Sequence, residues 1–469
     1  MKQIMNTKQD PCKDFYAFVC GNYKSAVGSM IATIDNEMYQ AMDRAIEDSS
    51  TDQFSSTKTA SGKAGSLYLM CTSGRINEER ALQEFLRQVG LHPSSYASGK
   101  ILDKVLLLFF RYNINTLLGM SLDENLLYKG QRRLAVSLGE KELSWFQIRR
   151  SRIGMVFYRY TLGFPKEEIV LAENEAAGRL TENVLRGLDT LNFDKVLGLE
   201  KLTPTVNKTG GRWTTLVEAH SGSLYRRENV VVVCNTAMEY FDKLYADLGN
   251  KKLCLLTAWA LLRKLTPLTF PKLASYFTTA TVQSLCREAV FDAMEVPLIS
   301  WYLYSAVPTN AVRQATRLAT HIQFSILKEI EGSRWIDTYT RRVALDKING
   351  VSMHVGYPKN LGSSKAIDEV YAHYPGANGT FLFPWLTAMK MTMQTLMQNA
   401  TTYRLALSRY RRCIESGYVR SLLNVMDARD NHFPVTVKCA YRSPNISVSQ
   451  KFLNKELLNT FEEELSEAF

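Results

Sequence analysis

Trp335-Ile336-Asp337-Thr338-Tyr339-Thr340-Arg341-Arg342-Val343-Ala344-Leu345-Asp346-Lys347-Ile348-Asn349-Gly350-Val351-Ser352-Met353-His354-Val355-Gly356-Tyr357-Pro358 is the stretch on which the fold reading turns. Trp335 to Val355 fits a helix, and Gly356-Tyr357-Pro358 supplies its stop. Glycine past the last turn relieves the backbone, and proline just beyond cannot continue the ladder. Upstream, helical spacing fits Asn310 to Glu331, Val282 to Glu295 and Lys251 to Lys264, with proline- or glycine-containing breaks between them. Downstream, a looser region from Lys359 to Pro384 gives way to helical spacing from Trp385 to Ser416.

Near the start, Ile31, Ile34, Met38, Met42 and Ile46 recur at three- or four-residue steps and predict a helix from Ser29 to Asp48. The Ser49 to Ser66 stretch is rich in Ser, Thr, Gly and Lys, and it reads as a surface loop. Helical spacing resumes at Leu67, is interrupted at Gly90 and Pro93, and dominates to about Gly187. Two segments suit strands: Glu228 to Cys234, with four consecutive valines, and Pro434 to Tyr441, where Val435, Val437, Cys439 and Tyr441 alternate. Phe452 to Phe469 reads as an acidic amphipathic helix. The class is therefore mainly α with minor β, and 469 residues exceed what one growing core usually serves.

The charge of +11, from 57 Lys and Arg against 46 Asp and Glu, is dispersed in short groups such as Arg132-Arg133 and Arg226-Arg227. No nucleic-acid reader motif accompanies it, which argues against that class of partner. No apolar run reaches the length that crosses a bilayer, and the first thirteen residues lack the apolar core of a secretory signal. Eight cysteines include no Cys-x-x-Cys pair. Four sequons, at Asn207, Asn378, Asn399 and Asn445, are glycosylation candidates if the chain is exported.

Metal chemistry is limited by the histidines: His92, His220, His321, His354, His373 and His432. A zinc-binding helix needs two histidines four apart, so that both lie on one face. No two here have that spacing, and Gly356-Tyr357-Pro358 separates His354 from His373. No Gly-x-Ser-x-Gly elbow, dinucleotide-binding glycine motif or phosphate loop is present either.

Several segments, in order, resemble the non-catalytic region of neprilysin-family zinc metallopeptidases. Pro11-Cys12-Lys13-Asp14-Phe15-Tyr16-Ala17-Phe18-Val19-Cys20-Gly21-Asn22-Tyr23 is similar to the family's opening motif, and Trp335-Ile336-Asp337 to Tyr357-Pro358 resembles its late helix ending in Gly-Tyr-Pro. Tyr68 to Glu79 around Cys71, and Leu285-Cys286 to Ser305, look like its paired cysteine helices, which implies a disulfide between Cys71 and Cys286. The resemblance implies a multi-helix, two-lobed metallopeptidase-like architecture, with residues 10–425 matching the family's N-terminal region and 426–469 a possible remnant of its C-terminal region.

In that family a His-Glu-x-x-His helix binds zinc, and a later histidine stabilises the transition state. The zinc helix is absent from this sequence, so no cofactor is expected for this chain, although zinc serves the full-length family. Asp430-Asn431-His432-Phe433-Pro434 resembles the segment that carries the transition-state histidine, with Lys438 and Asn445 at matching positions; the alternative is a solvated histidine in a polar turn. A rival placement aligns Cys439-Ala440-Tyr441 with the family's substrate-holding strand. The chain stops before the family's closing cysteines, which leaves Cys12 and Cys20 as expected free thiols. The expectation is a fragment or inactive homologue of a zinc metalloendopeptidase, extracellular or at the cell surface, with peptides or proteins as partners. The alternatives are a secreted or surface binding module that holds peptides without cutting them, and an unrelated cytosolic helical scaffold.

Overall fold

The computed structural model describes residues 5–14, 17–18, 21–22, 39–41, 43–44, 46, 58–73, 78–123, 133–139, 145–146, 162–181, 184, 198–225, 230–232, 235–274, 281–306, 309–354, 363–377, 379–397 and 438–441. The helices are α1 (Ala60–Ser73), α2 (Glu79–Gln88), α3 (Ile101–Tyr112), α4 (Lys166–Gly178), α5 (Trp213–His220), α6 (Asn235–Thr269), α7 (Val282–Ala306), α8 (Thr309–Gly332), α9 (Thr338–Asn349), α10 (Ser364–Val370) and α11 (Leu382–Met397). A single helical turn, Leu199–Leu202, and a π-helical turn, Val206–Gly210, lie between α4 and α5.

The strands are β1 (Leu118–Asp123), β2 (Arg133–Leu138), β3 (Val230–Val232), β4 (Val351–His354) and β5 (Lys438–Tyr441). One sheet runs β1-β2-β3, antiparallel then parallel, and β4 pairs antiparallel with β5. The mainly α class with minor β is the class observed.

One continuous core joins helices α1 to α7, α10 and α11 to the first sheet, with Trp213, Trp259, Trp385, Phe85, Phe109, Phe241 and Phe381 among its fully buried side chains. Burial of such aromatics contributes on the order of 1.5–3 kcal/mol each, before the ordering entropy is counted. The α8–α9 hairpin packs on itself outside this core: α9 has no buried residue, and among the described side chains of α8 only Ala319 and Ile330 are buried.

Three expectations are corrected. The Ser/Thr/Gly-rich loop of 49–66 is helical from Ala60 onward, and Ala60, Ser61, Gly62, Lys63, Ala64 and Gly65 are buried. Small side chains let α1 approach α7 closely; Asp368 Oδ1 accepts the Ala60 amide of its first turn at 2.6 Å, and Lys63 Nζ ties the helix to the end of α10 by donating to the carbonyls of Tyr371 and Ala372 at 3.0 and 2.7 Å.

The helix expected from Trp335 to Val355 instead begins at Thr338 and ends at Asn349. Asp337 caps it by accepting the Thr340 amide at 2.9 Å. Gly350 closes it six residues before the glycine chosen from sequence, and the chain continues as β4. Helices also do not run unbroken towards Gly187: β1 and β2 interpose a hairpin whose inward positions, Leu118, Met120, Leu122, Leu134 and Val136, are buried.

Other expectations match. The valine run contains β3, and the segments at 251–264, 282–295 and 310–331 lie within α6, α7 and α8. Trp385 to Met397 lies in α11, and the remainder of that segment falls outside the described residues. Within the Ser29 to Asp48 segment, the described residues are helical.

Candidate functional site

Two chain breaks inside helices organise the body. In α6, Gly249 adopts φ 72, ψ 171, a combination open essentially to glycine. The break turns Asn250 toward α3, where its Oδ1 accepts the Ile101 amide at 2.9 Å and its Nδ2 donates to the Gly99 carbonyl at 2.8 Å. Lys100, at the N-cap position of α3, provides no side-chain bond of its own, so Asn250 does that work from another helix.

In α7, Met294 leaves the helical region at φ −145, ψ 56, and Pro297 lacks the amide that would reach the Ala293 carbonyl. Thr392 Oγ1 of α11 donates to that carbonyl at 2.7 Å, and Trp385 Nε1 donates to the Ala289 carbonyl, also at 2.7 Å. The broken helix is thus completed by its neighbour.

Cys71 of α1 and Cys286 of α7 are joined by a disulfide, with Cα atoms 5.7 Å apart and both residues buried. Beyond α1, Glu78 turns back under the start of α11: its Oε1 accepts the Phe381 amide at 2.5 Å and its Oε2 the Leu382 amide at 2.8 Å. Burial pushes the Glu78 carboxyl above its ordinary value, and the two amides act in the opposite direction.

A second buried carboxylate, Glu173 of α4, accepts the indole N–H groups of Trp145 and Trp259 at 2.5 and 2.8 Å, with the Arg263 guanidinium stacked over the Trp145 ring. The Cys71–Cys286 bond is the one that the resemblance implied; the partnerships of Asn250, Thr392, Glu78 and Glu173 join residues far apart in the chain and have no local sequence signal.

The histidines are dispersed over the fold. His92 Nδ1 lies 2.8 Å from Ser94 Oγ, and burial, then Arg87, hold the imidazole below its ordinary value. His220, the last residue of α5, has Nε2 2.9 Å from Asp103 Oδ1 of α3, a pairing the sequence reading passed over. His321 is exposed on α8, His354 lies in β4 and His373 is exposed in the turn after α10.

His432 lies outside the described residues. Among the described residues, no group of three His, Cys, Asp or Glu side chains is placed to hold a metal ion. No two histidines of the sequence stand four apart, the spacing that places two imidazoles on one face of a zinc-binding helix.

β4 and β5 bring two sequence-selected segments together, with Val351 opposite Tyr441, Ser352 opposite Ala440, Met353 opposite Cys439 and His354 opposite Lys438. Of the sequons, Asn378, Asn399 and Asn445 lie outside the described residues. Asn207 sits half-buried in the π-helical turn, its Oδ1 without a hydrogen-bond partner. Cys12 is a free, exposed thiol and Cys20 lies outside the described residues. Cys254 is also free, and burial raises its thiol above the ordinary value while Lys104 acts against that. No helix among the described residues is long and apolar enough to cross a membrane.

The model of peptidase family M13, a zinc-dependent family, matches residues 11–149 and 166–358. Endothelin-converting enzyme 1 of Rattus norvegicus is 23% identical over 426 residues, covering 79% of this chain and 54% of that protein. The Homo sapiens protein of that name is 22% identical, covering 79% and 53%. The chain therefore spans about half the length of the curated relatives it matches.

In fold, the chain is similar to the Mycobacterium tuberculosis zinc metalloprotease Zmp1, solved with an inhibitor, at a TM-score of 0.55 and 13% identity, over 84% of this chain and 64% of that one. PepO from Lactobacillus rhamnosis gives 0.54 and 14%, over 83% and 65%. With a family model matching most of its length, and a body of the same fold as these proteins, the chain belongs to peptidase family M13.

Proposed function

We propose that this chain is a non-cleaving form of an M13 metalloendopeptidase, either a fragment or an inactive homologue, which supplies the family's helical body without its zinc-binding helix. The observation that supports this most directly is the spacing of the six histidines, no two of which can face one metal from a single helix. His432 would then have no zinc-polarised group to assist. Residues 10–425 correspond to the helical region, and 426–469 to what is left of the family's C-terminal region.

The family's role is zinc-dependent peptide hydrolysis, and peptides or proteins are the partners this reading implies. An extracellular or cell-surface setting is part of the proposal, and the Cys71–Cys286 bond supports it, because such bonds seldom persist in reducing compartments. The test is cleavage. Purified chain, incubated with a library of fluorogenic peptides with and without added zinc, is expected to release no signal above a no-protein control. Zinc-dependent turnover that a chelator abolishes would overturn the proposal.

A second reading, a secreted or surface module that binds peptides without cutting them, is supported by the continuous core and the Cys71–Cys286 cross-link among the described residues. It separates from the first at the transcript: a message encoding His-Glu-x-x-His within the same open frame removes its motive.

A further inference from the structure

Asn207-Lys208-Thr209 is the sequon that lies wholly among the described residues. The π-helical turn Val206–Gly210 carries it, and that turn is pinned at both ends. At its start, Asp242 of α6 accepts the Val206 amide at 2.9 Å and the Thr205 amide at 3.3 Å, and the Val206 side chain is buried. At its end, Gly210 lies so close to Tyr245 of α6 that a Cβ there would stand 3.1 Å from the ring. Both anchors face α6, and the residues between them are turned the other way: Lys208 and Thr209 are exposed and Asn207 is half-buried.

The Asn207 carboxamide is divided between the two sides. Its Oδ1 is enclosed without a hydrogen-bond partner, whereas its Nδ2 is neither enclosed nor hydrogen-bonded among the described residues. An enclosed, unpaired oxygen costs stability, so this side chain is desolvated without giving the fold a hydrogen bond in return. The open edge of the amide is its nitrogen, the atom that asparagine-linked glycosylation modifies. Thr209 places the required hydroxyl two positions on; its Oγ1 donates to the Thr205 carbonyl at 3.0 Å and lies 3.1 Å from the Tyr245 hydroxyl.

We infer that Asn207 carries an asparagine-linked glycan, presented at the crest of the π-helical turn. The inference rests on the exported setting proposed above. Its co-substrate is an oligosaccharide linked to a lipid pyrophosphate. A bond forms between Asn207 Nδ2 and C1 of the first N-acetylglucosamine, and the bond from that carbon to the pyrophosphate oxygen breaks. The lipid pyrophosphate leaves with the electron pair, one Nδ2 proton passes to a base of the transferase, and nothing is oxidised or reduced. The folded turn accommodates the product because Nδ2 is on its open side, while the enclosed Oδ1 takes no part in the new bond.

The test is glycopeptide mapping of the full chain, expressed behind a cleavable secretory signal in cultured mammalian cells. Peptide-N-glycosidase in heavy-oxygen water converts each glycosylated asparagine to an isotope-marked aspartate. The peptide containing position 207 is expected to carry the mark in most molecules. Asn207→Gln should abolish it while the Cys71–Cys286 bond still forms. Thr209→Ser keeps the hydroxyl and should retain the mark, which Thr209→Ala should abolish.

An unmarked position 207 in chains whose Cys71–Cys286 bond has formed would overturn the inference and leave the exported setting standing. Chains that pass through the secretory route with both of those thiols free would overturn the setting and the inference with it. The same mark appearing without the glycosidase would be spontaneous deamidation, and would also overturn the inference.

Discussion

Glu78 accepts the Leu382 amide at 2.8 Å across 304 residues of sequence, and with the Phe381 amide on its other oxygen it forms the N-terminal cap of α11. The carboxylate lies in the connection that follows the cross-linked helix α1, so the capping of one end of the body depends on the placement of the other. Glu78→Ala removes both acceptors and should cost about 1–3 kcal/mol in urea unfolding. Glu78→Gln keeps one acceptor and should cost less.

The same residue gives a pH dependence. Burial holds its native pKa above the unfolded value. A raised carboxyl pKa means that the group's contribution is complete below the ordinary value, about 4.3, and is lost as pH climbs through the raised native one. Unfolding free energies measured across that window should therefore fall more steeply with pH in the unmodified protein than in Glu78→Gln. Parallel curves would contradict this.

Thr392 and Ala293 offer a cleaner energetic test, because the partner of the Ala293 carbonyl was removed by Pro297. Thr392→Val leaves that carbonyl buried and unmet, for a loss of about 1–2 kcal/mol. In a Pro297→Ala background an amide becomes available to the same carbonyl, and the loss should shrink. A double-mutant cycle with no coupling would mean that the hydroxyl is not replacing the missing helical bond.

Gly249 is the hinge that lets Asn250 cap α3. Gly249→Ala forces a Cβ into a backbone region reserved for glycine and should destabilise by about 1–3 kcal/mol. Asn250→Ala should cost less, about 1 kcal/mol, since only the cap is lost. Thermal unfolding that ranks these two the other way would argue against strain as the larger effect.

The Cys71–Cys286 cross-link closes a loop with a sequence separation of 215. Cys286→Ser should lower stability by about 2–4 kcal/mol. Peptide mapping of the native protein without reduction should recover the two cysteines in one linked pair. Recovery of both as free thiols would favour a reducing compartment.

What the sequence allowed, and what it hid, follows from range. The valines of β3 declare a strand locally, and the amphipathic spacing of α8 declares a helix, because both signals lie within a few residues. The start of α1 looked like a loop because small and polar residues weaken the local helical signal. What makes it helical is burial against α7 and an amide acceptor at Asp368 that no local window contains. The stop of α9 was misplaced because Gly350 and Gly356 are equally good terminators locally, and pairing with β5 decides that Val351 begins a strand. For the site, the lack of two histidines at helical spacing was visible directly, whereas the pairing of His220 with Asp103 spans 117 positions and had no local signal.

On the proposed reading the chain holds no catalytic zinc, and its metal content is the direct measure of that. After purification without affinity tags, incubation with excess zinc and exhaustive dialysis, mass spectrometric metal analysis should find far less than one zinc per chain. One tightly held zinc per chain, removed by a chelator and restored on zinc addition, would overturn that reading.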